Sequence, residues 1–186
     1  QAKGIKDITI LNSSLAPCHE FLIDMIKDGT VTAIETSGLR DALGKFLSLN
    51  PGVLKRPVVI RSHGGRARAV CTGEAHIDVA FMGVPACDRR GNATGRKGKS
   101  ACGALGYAMV DSHYADQTVL LTDNLIDNVY PISIPQTDVD YIVEVEAIGD
   151  PEGIASGAVG ITKNPVQIKI AEMAAEFLDE AGIIQE

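Results

Sequence analysis

No run of apolar residues in this chain approaches the ~20 needed to span a bilayer. No basic opening followed by an apolar stretch marks a secretory signal. Both absences lead to the expectation of a cytoplasmic protein. The chain opens on Gln1 rather than Met, so the expectation is that its first residues have been removed or that it is an excised piece. Its four cysteines, Cys18, Cys71, Cys87 and Cys102, form no Cys-x-x-Cys pair and stand at wide, irregular spacings. Reduced thiols are the plain reading. A metal site using Cys18 and His19, or a nucleophilic or redox-sensitive Cys102 in its Gly-rich setting, stays open beside it. Gly-x-x-x-x-Gly-Lys-Ser/Thr is missing, which removes the phosphate-binding P-loop. Gly-x-Gly-x-x-Gly does not follow the first strand, and no Gly-x-Ser-x-Gly elbow occurs. A dinucleotide cofactor and a serine hydrolase therefore lose their usual signatures. The sequence has no internal repeat and no low-complexity linker.

What is present is an ordinary globular composition with an uneven charge. Hydrophobic residues make up 45% and charged residues 22% of 186 positions, enough for one domain with a core. The net charge of −7 argues against a general nucleic-acid binder. Between Arg61 and Lys99, however, eight Arg/Lys face three acids (Glu74, Asp78, Asp88), so this window is +5 and the remainder −12. A basic island in an acidic protein suits a carboxylate, a phosphate or an acidic partner. A solvated surface stretch is the bland alternative.

Periodicity predicts strands over Lys6–Asn12, Val31–Thr36, Arg56–Arg61, Ile77–Met82, Thr118–Thr122 and Val139–Val145. Ser13 or Ser14 is expected to cap a helix with Pro17 near its start and Phe21, Leu22, Met25 and Ile26 facing the core. A second helix carries Leu39, Ala42, Leu43, Phe46 and Leu47 and closes at Asn50-Pro51-Gly52. Another follows Gly64-Gly65. Asn164-Pro165 opens a last helix with Ile168, Ala171, Ala175, Phe177 and Leu178 inward, ended by Gly182. Residues 84–106 lack periodicity and read as a long loop, functional or disordered. Alternating strands and helices joined by short turns indicate a parallel sheet with helices on both faces. Such sheets bind ligands beyond the carboxyl ends of their strands.

Three strand-end loops carry candidate chemistry. In Thr36-Ser37-Gly38-Leu39-Arg40, Gly38 permits a tight turn whose amides face a ligand, making Ser37, Gly38 and Arg40 candidates. In Ser62-His63-Gly64-Gly65-Arg66-Ala67-Arg68, the amides of Gly64 and Gly65 can donate to an anion or a developing oxyanion. Arg66 and Arg68 can grip a carboxylate in two-pronged fashion, and His63 can orient a substrate or move a proton. Ser62 belongs to the same cradle. The third loop runs from Asp88 to Gly103, where Asn92, Gly95, Ser100 and Gly103 sit beside Arg96, Lys97 and Lys99, a mixture suited to a polyoxygenated acid. An ordinary strand-to-helix turn, a Gly-Gly turn with surface arginines and a flexible surface loop are the respective structural alternatives.

Together, Thr36-Ser-Gly-Leu-Arg40, Ser62-His-Gly-Gly-Arg66, Ile77-Asp-Val-Ala-Phe81, Gly91-Asn-Ala93 and Cys102-Gly-Ala-Leu-Gly-Tyr-Ala108 resemble the citrate lyase α subunit family, the citrate CoA-transferases. The likeness continues through Val119–Thr122 to Thr162-Lys-Asn-Pro165. It implies an α/β, three-layer, CoA-transferase-like fold with a mostly parallel sheet. It implies that residues 1–186 form one such domain, incomplete, without the family's N-terminal segment and second domain. The implied reaction turns acetyl-thioester plus citrate into citryl-thioester plus acetate, directly through a mixed anhydride. Glu35 and Glu74 are accordingly expected to be ordinary acids, not nucleophiles. No cofactor or metal is expected on the chain itself. A CoA-derived prosthetic group arrives on the acyl-carrier (gamma) subunit, or acetyl-CoA serves as surrogate. The implied partners are citrate, acetate and the gamma and beta subunits in an oligomeric complex, with no nucleic acid and no membrane. His63, Gly64 and Gly65 would hold the oxyanion or orient the substrate. Arg66, Arg68, Asn92 and Ser100 would hold citrate or the carrier-arm phosphates. Two other classes remain: a non-catalytic organic-acid or sugar-phosphate sensor on the same fold, and a scaffold piece that docks the complex.

Overall fold

The β-branched run Val31–Thr36 becomes a central strand because it can bury both faces, and its neighbours assemble around it. The computed structural model describes residues 4–153 and 162–183; Gln1 and Glu186 lie outside them. Two compact units divide the chain, Gln1–Pro151 and Glu152–Glu186.

The first unit runs β1 (Ile8–Asn12), α1 (Leu22–Lys27), β2 (Val31–Thr36), α2 (Asp41–Leu49), β3 (Val59–Ile60), α3 (His63–Cys71), β4 (Val79–Gly83), β5 (Ala86–Asp88), β6 (Ala93–Thr94), α4 (Tyr107–Tyr114), β7 (Gln117–Thr122), β8 (Leu125–Ile126) and β9 (Tyr141–Glu144). Strands β1-β2-β3 form one parallel sheet and β4-β7-β9 another. A small mixed sheet, β6-β5-β8, pairs β5 antiparallel to β6 and parallel to β8. The α/β class and the parallel pairing are those that strand–helix alternation predicts, but the single sheet expected is divided into these three. Leu15, Leu22, Ile26, Val31, Ile34 and Leu43 form the core beside the first sheet. Met82, Val84, Cys87, Ala93, Leu120 and Ile134 form the core that joins the second sheet to the mixed one.

Several local expectations need correction. Ser13 and Ser14 cap no helix; the Ser14 amide donates to Asn12 Oδ1, and a 3-10 turn at Pro17–His19 delays α1 to Leu22. Leu22 and Ile26 are buried, whereas Phe21 is exposed, since it precedes the first helical turn. The third strand shrinks to Val59–Ile60. Residues 84–106 are no open loop. Val84 to Asp88 and Gly91 to Gly95 are buried, and the segment folds on itself through β5 and β6. The helix α4 has no counterpart in the sequence reading, because Gly106 at its N-cap supplies no side-chain cap and has φ +56°.

The second unit holds α5 (Pro165–Glu180). Asn164 Oδ1 accepts from the amides of Val166 and Gln167, and Pro165 fills the first turn, where no amide is needed. Gly182 follows with φ +65°. Ile168, Ala171, Ala175 and Phe177 are exposed rather than inward, and only Leu178 is half-buried. Among the described residues this unit offers no second long element to cover them. No helix of the described residues is long and apolar enough to cross a membrane.

Candidate functional site

The loop after β2 uses its polar groups on its neighbours. The Gly38 amide donates to Thr36 Oγ1, the Ser37 amide to Ser13 O, and the Arg40 amide to Leu15 O. The amides expected to face a ligand are thereby engaged in holding this loop to the one after β1. What remains is the exposed Arg40 side chain and the buried Ser37 Oγ, which has no hydrogen-bond partner among the described residues.

The loop after β3 is the head of α3. Ser62 is its N-cap, and Ser62 Oγ accepts from the Gly65 amide at 3.1 Å. Such a cap contributes about 1 kcal/mol. It also occupies one of the two glycine donors expected to meet an anion. The amides of His63 and Gly64 head the helix at the positive end of its dipole. A Cβ on Gly64 would meet none of the described residues within 4 Å, so the space beside it is open to that extent.

Arg66 does not reach outward. It is buried, and its two terminal nitrogens bond both oxygens of Asp111 on α4 at 2.8 and 2.7 Å. Its guanidinium also lies 5.2 Å from the ring centre of Tyr107, and His63 meets the same ring edge-on at 5.7 Å. In the described structure, therefore, Arg66 clamps α3 to α4, and its carboxylate partner comes from the chain itself. Arg68 is exposed and pairs with Glu74 at 2.9 Å. Arg61 contacts both Glu35 and Glu74. Those contacts, Glu35 foremost and against the opposing effect of burial, hold the Arg61 guanidinium above its usual range. The pairing with Arg61 and Arg68 holds Glu74 below the usual carboxylate range.

In the third loop Asn92 is buried and engaged at both atoms of its side-chain amide. Its Nδ2 donates to Asp88 Oδ2 at 3.0 Å, and its Oδ1 accepts from the Gln136 amide at 3.0 Å. Asp88 also accepts from the amides of Arg90 and Asn92. Burial alone would raise the Asp88 carboxyl, but these donors keep it below the usual range. Asn92 is thus the lock of the β5–β6 turn, not a free ligand for an acid. Gly95 O accepts from the amides of Cys102 and Gly103, closing the loop at its base. Ser100 is buried, and its Oγ has no partner among the described residues. Asp123, just past β7, accepts from the Ile148 amide and sits 3.3 Å from Lys99. The Ile148 bond first, then Lys99, keeps it below the usual range despite desolvation.

Tyr107 and Asp111 are the residues that sequence reasoning missed. Their spacing of four places both on one face of α4, toward His63 and Arg66, which are themselves three apart on α3. That pairing of spacings was the available signal, but it needs both helices to be known. Metal-ligating groups gather elsewhere: His76, Asp78 and Asp116 bring three ligand atoms within 4.8 Å of one another, all exposed, at the amino ends of β4 and β7. Cys18 Sγ lies 3.2 Å from His19 Nδ1, and Cys102 is exposed.

Parallel sheets with helices following their strands make this an α/β domain, CoA-transferase-like in fold. Glutaconate CoA-transferase from Acidaminococcus fermentans shares that fold, with a TM-score of 0.53 at 14% identity, over 76% of this chain and 62% of that one. The family described as citrate lyase, alpha subunit (CitF), matches residues 1–186, and the chain belongs to it. The citrate lyase alpha chain of Klebsiella pneumoniae is 48% identical over 184 residues, 98% of this chain and 36% of that protein. A solved structure described as the alpha subunit of citrate lyase from Streptococcus mutans, in complex with citrate, is 61% identical with a TM-score of 0.84. It is covered over 92% of this chain and 34% of its own. The chain thus spans about a third of the length of these relatives.

Proposed function

We propose that this chain supplies part of the site of a citrate CoA-transferase, within the α subunit of a citrate lyase acting in the cytoplasm. The reaction is acetyl-thioester plus citrate to citryl-thioester plus acetate. Its other proposed participants are a carrier subunit that presents the thioester on a CoA-derived group and a β subunit that cleaves the citryl product. The observation that carries the reading is the citrate held by the Streptococcus mutans relative, 61% identical to this chain.

The chain's own groups suit the task. The His63 and Gly64 amides head α3 beside open space and would receive the oxyanion of the thioester carbonyl or a citrate carboxylate. The His63 ring, steadied against Tyr107, would orient the acid. Arg40 offers an exposed cation for further oxygens, whereas the hydroxyls of Ser37 and Ser100 are enclosed by the chain. Gly65 serves as the capped third residue of the helix, and Arg66 and Asn92 hold the scaffold.

The test uses the full-length protein with an acetylated carrier and labelled citrate. The transferase reading expects one acetate released for each citryl-thioester formed. The sensor reading expects citrate to bind with no acetate released.

A further inference from the structure

Three of the four histidines use their rings on the chain itself. The Ala16 amide donates to His19 Nδ1 at 3.1 Å, His76 Nε2 meets Asp116 at 3.0 Å, and His113 Nδ1 meets Asp138 at 2.9 Å. His63 differs. It is exposed at the head of α3, and among the described residues neither of its ring nitrogens has a hydrogen-bond or ion-pair partner. An imidazole so placed is free to change rotamer, and a ligand that needs one rotamer must fix it on binding. One aromatic contact limits that freedom. The Tyr107 ring stands edge-on to it, 5.7 Å between centres and 62° between planes. Such a pair favours one arrangement by the equivalent of roughly 2- to 10-fold.

Tyr107 is itself held. Arg66 Cζ lies 5.2 Å from the centre of its ring, within cation–π range. Arg66 is fixed in turn by its two bonds to Asp111. Gly106, at φ +56°, lets the chain turn into α4 directly at Tyr107. Tyr107 and Asp111 are four apart on α4, and His63 and Arg66 are three apart on α3, so each pair shares one face of its helix. The Arg66–Asp111 pairing is two-pronged without any aromatic ring, so the contact of Tyr107 with His63 is additional to the clamp.

We infer that Tyr107 is a positioning residue for the acyl acceptor. Its ring, anchored on Arg66 and Asp111, holds the His63 imidazole in one rotamer, with a nitrogen left to donate to a citrate carboxylate. The inference rests on the proposed transferase reading and makes the α3–α4 clamp part of the acceptor site. It gives a role to the Tyr107 ring and none to its hydroxyl.

The experiment is a double-mutant cycle in the full-length protein, with an acetylated carrier and citrate-dependent acetate release. The proteins are wild type, Tyr107→Phe, Tyr107→Leu, His63→Ala and His63→Ala with Tyr107→Leu. Tyr107→Leu is expected to lower kcat/KM for citrate by ~3- to 10-fold, chiefly through KM, and Tyr107→Phe to restore it to within ~2-fold of wild type. In the His63→Ala background Tyr107→Leu should cost nothing further. Mere loosening of α4 would lower both backgrounds alike, and that result overturns the inference. So does a Tyr107→Phe protein as impaired as Tyr107→Leu, or a Tyr107→Leu protein unchanged from wild type. A second readout needs no turnover. With 13C-labelled histidine, the imidazole resonance absent from His63→Ala should be displaced by the Tyr107 ring in wild type and Tyr107→Phe, and return to a free-imidazole position in Tyr107→Leu. If wild type releases no acetate, the transferase reading fails and the resonance alone decides: displacement lost only in Tyr107→Leu upholds the hold on His63, and one position in all three proteins overturns it.

Discussion

Arg66 and Asp111 face each other with both guanidinium tips on both carboxylate oxygens, at 2.8 and 2.7 Å, in a pair only 4% and 15% exposed. The pair couples the helix that heads the candidate site to the helix that carries Tyr107. Removing one partner strands the other charge away from water. Arg66→Ala is therefore expected to lose about 3–5 kcal/mol of stability. Arg66→Lys keeps the charge but not the two-pronged geometry, and should lie between. Denaturant unfolding measures both. An Arg66→Ala protein of normal stability with a raised citrate KM would return Arg66 to the binding role.

Asp88 predicts an acid-sensitive β5–β6 turn. Its carboxyl lies below the usual range in the folded chain, so unfolding takes up protons as the pH falls. The stability it contributes is fully present above the unfolded value of about 3.9 and is lost as the pH drops through the lower folded value. Asp88→Asn replaces an acceptor of several buried donors and should cost about 2–4 kcal/mol at pH 7. It should also flatten the decline of stability between pH 5 and about 2. Urea titrations of both proteins across that range supply the check.

Thiol reactivity separates the four cysteines. Burial, with the Asp88 charge beside it, pushes the Cys87 thiol up to about 11. Cys18, Cys71 and Cys102 are exposed. Alkylation at pH 8, mapped by mass spectrometry, should label those three in the native chain and Cys87 only after unfolding. Rapid native labelling of Cys87 would mean that the mixed sheet opens readily.

The glycines of the third loop are not interchangeable with those of the second. A Cβ on Gly95 would stand 2.3 Å from Gly103 O, and one on Gly98, at φ +87°, 2.4 Å from Pro85 O. Alanine at either is expected to cost ~1–3 kcal/mol or more. Gly64→Ala meets open space on a helix and should be neutral or stabilising by up to ~1 kcal/mol. Thermal melting of the three variants tests the ordering.

Where a segment announces its own partner, the sequence was readable. Val31–Thr36 and Gln117–Thr122 are β-branched or aliphatic enough to be strands in almost any setting, and Asn164-Pro165 caps α5 by purely local bonds. Arg61–Arg68 was legible as a strand turning into a helix at Gly64-Gly65, and that is what forms. The roles within it were not. Whether Gly65 serves a ligand or a cap depends on the rotamer of Ser62, and whether Arg66 points out or in depends on Asp111, 45 residues away. Residues 84–106 misled for the same reason: Asp88 and Asn92 find their partners in Val129 and Gln136, which no local pattern shows.

The most direct measurement is citrate-dependent acetate release by the full-length protein carrying His63→Ala or His63→Pro. Alanine removes the imidazole and keeps the amide at the head of α3. Proline also removes the amide, at a first-turn position that welcomes it, after a Ser62 already extended at ψ 163°. If the α3 head holds the developing charge, His63→Pro falls a further ~100- to 1,000-fold in kcat below His63→Ala at unchanged melting temperature. Equal rates for the two variants would contradict it.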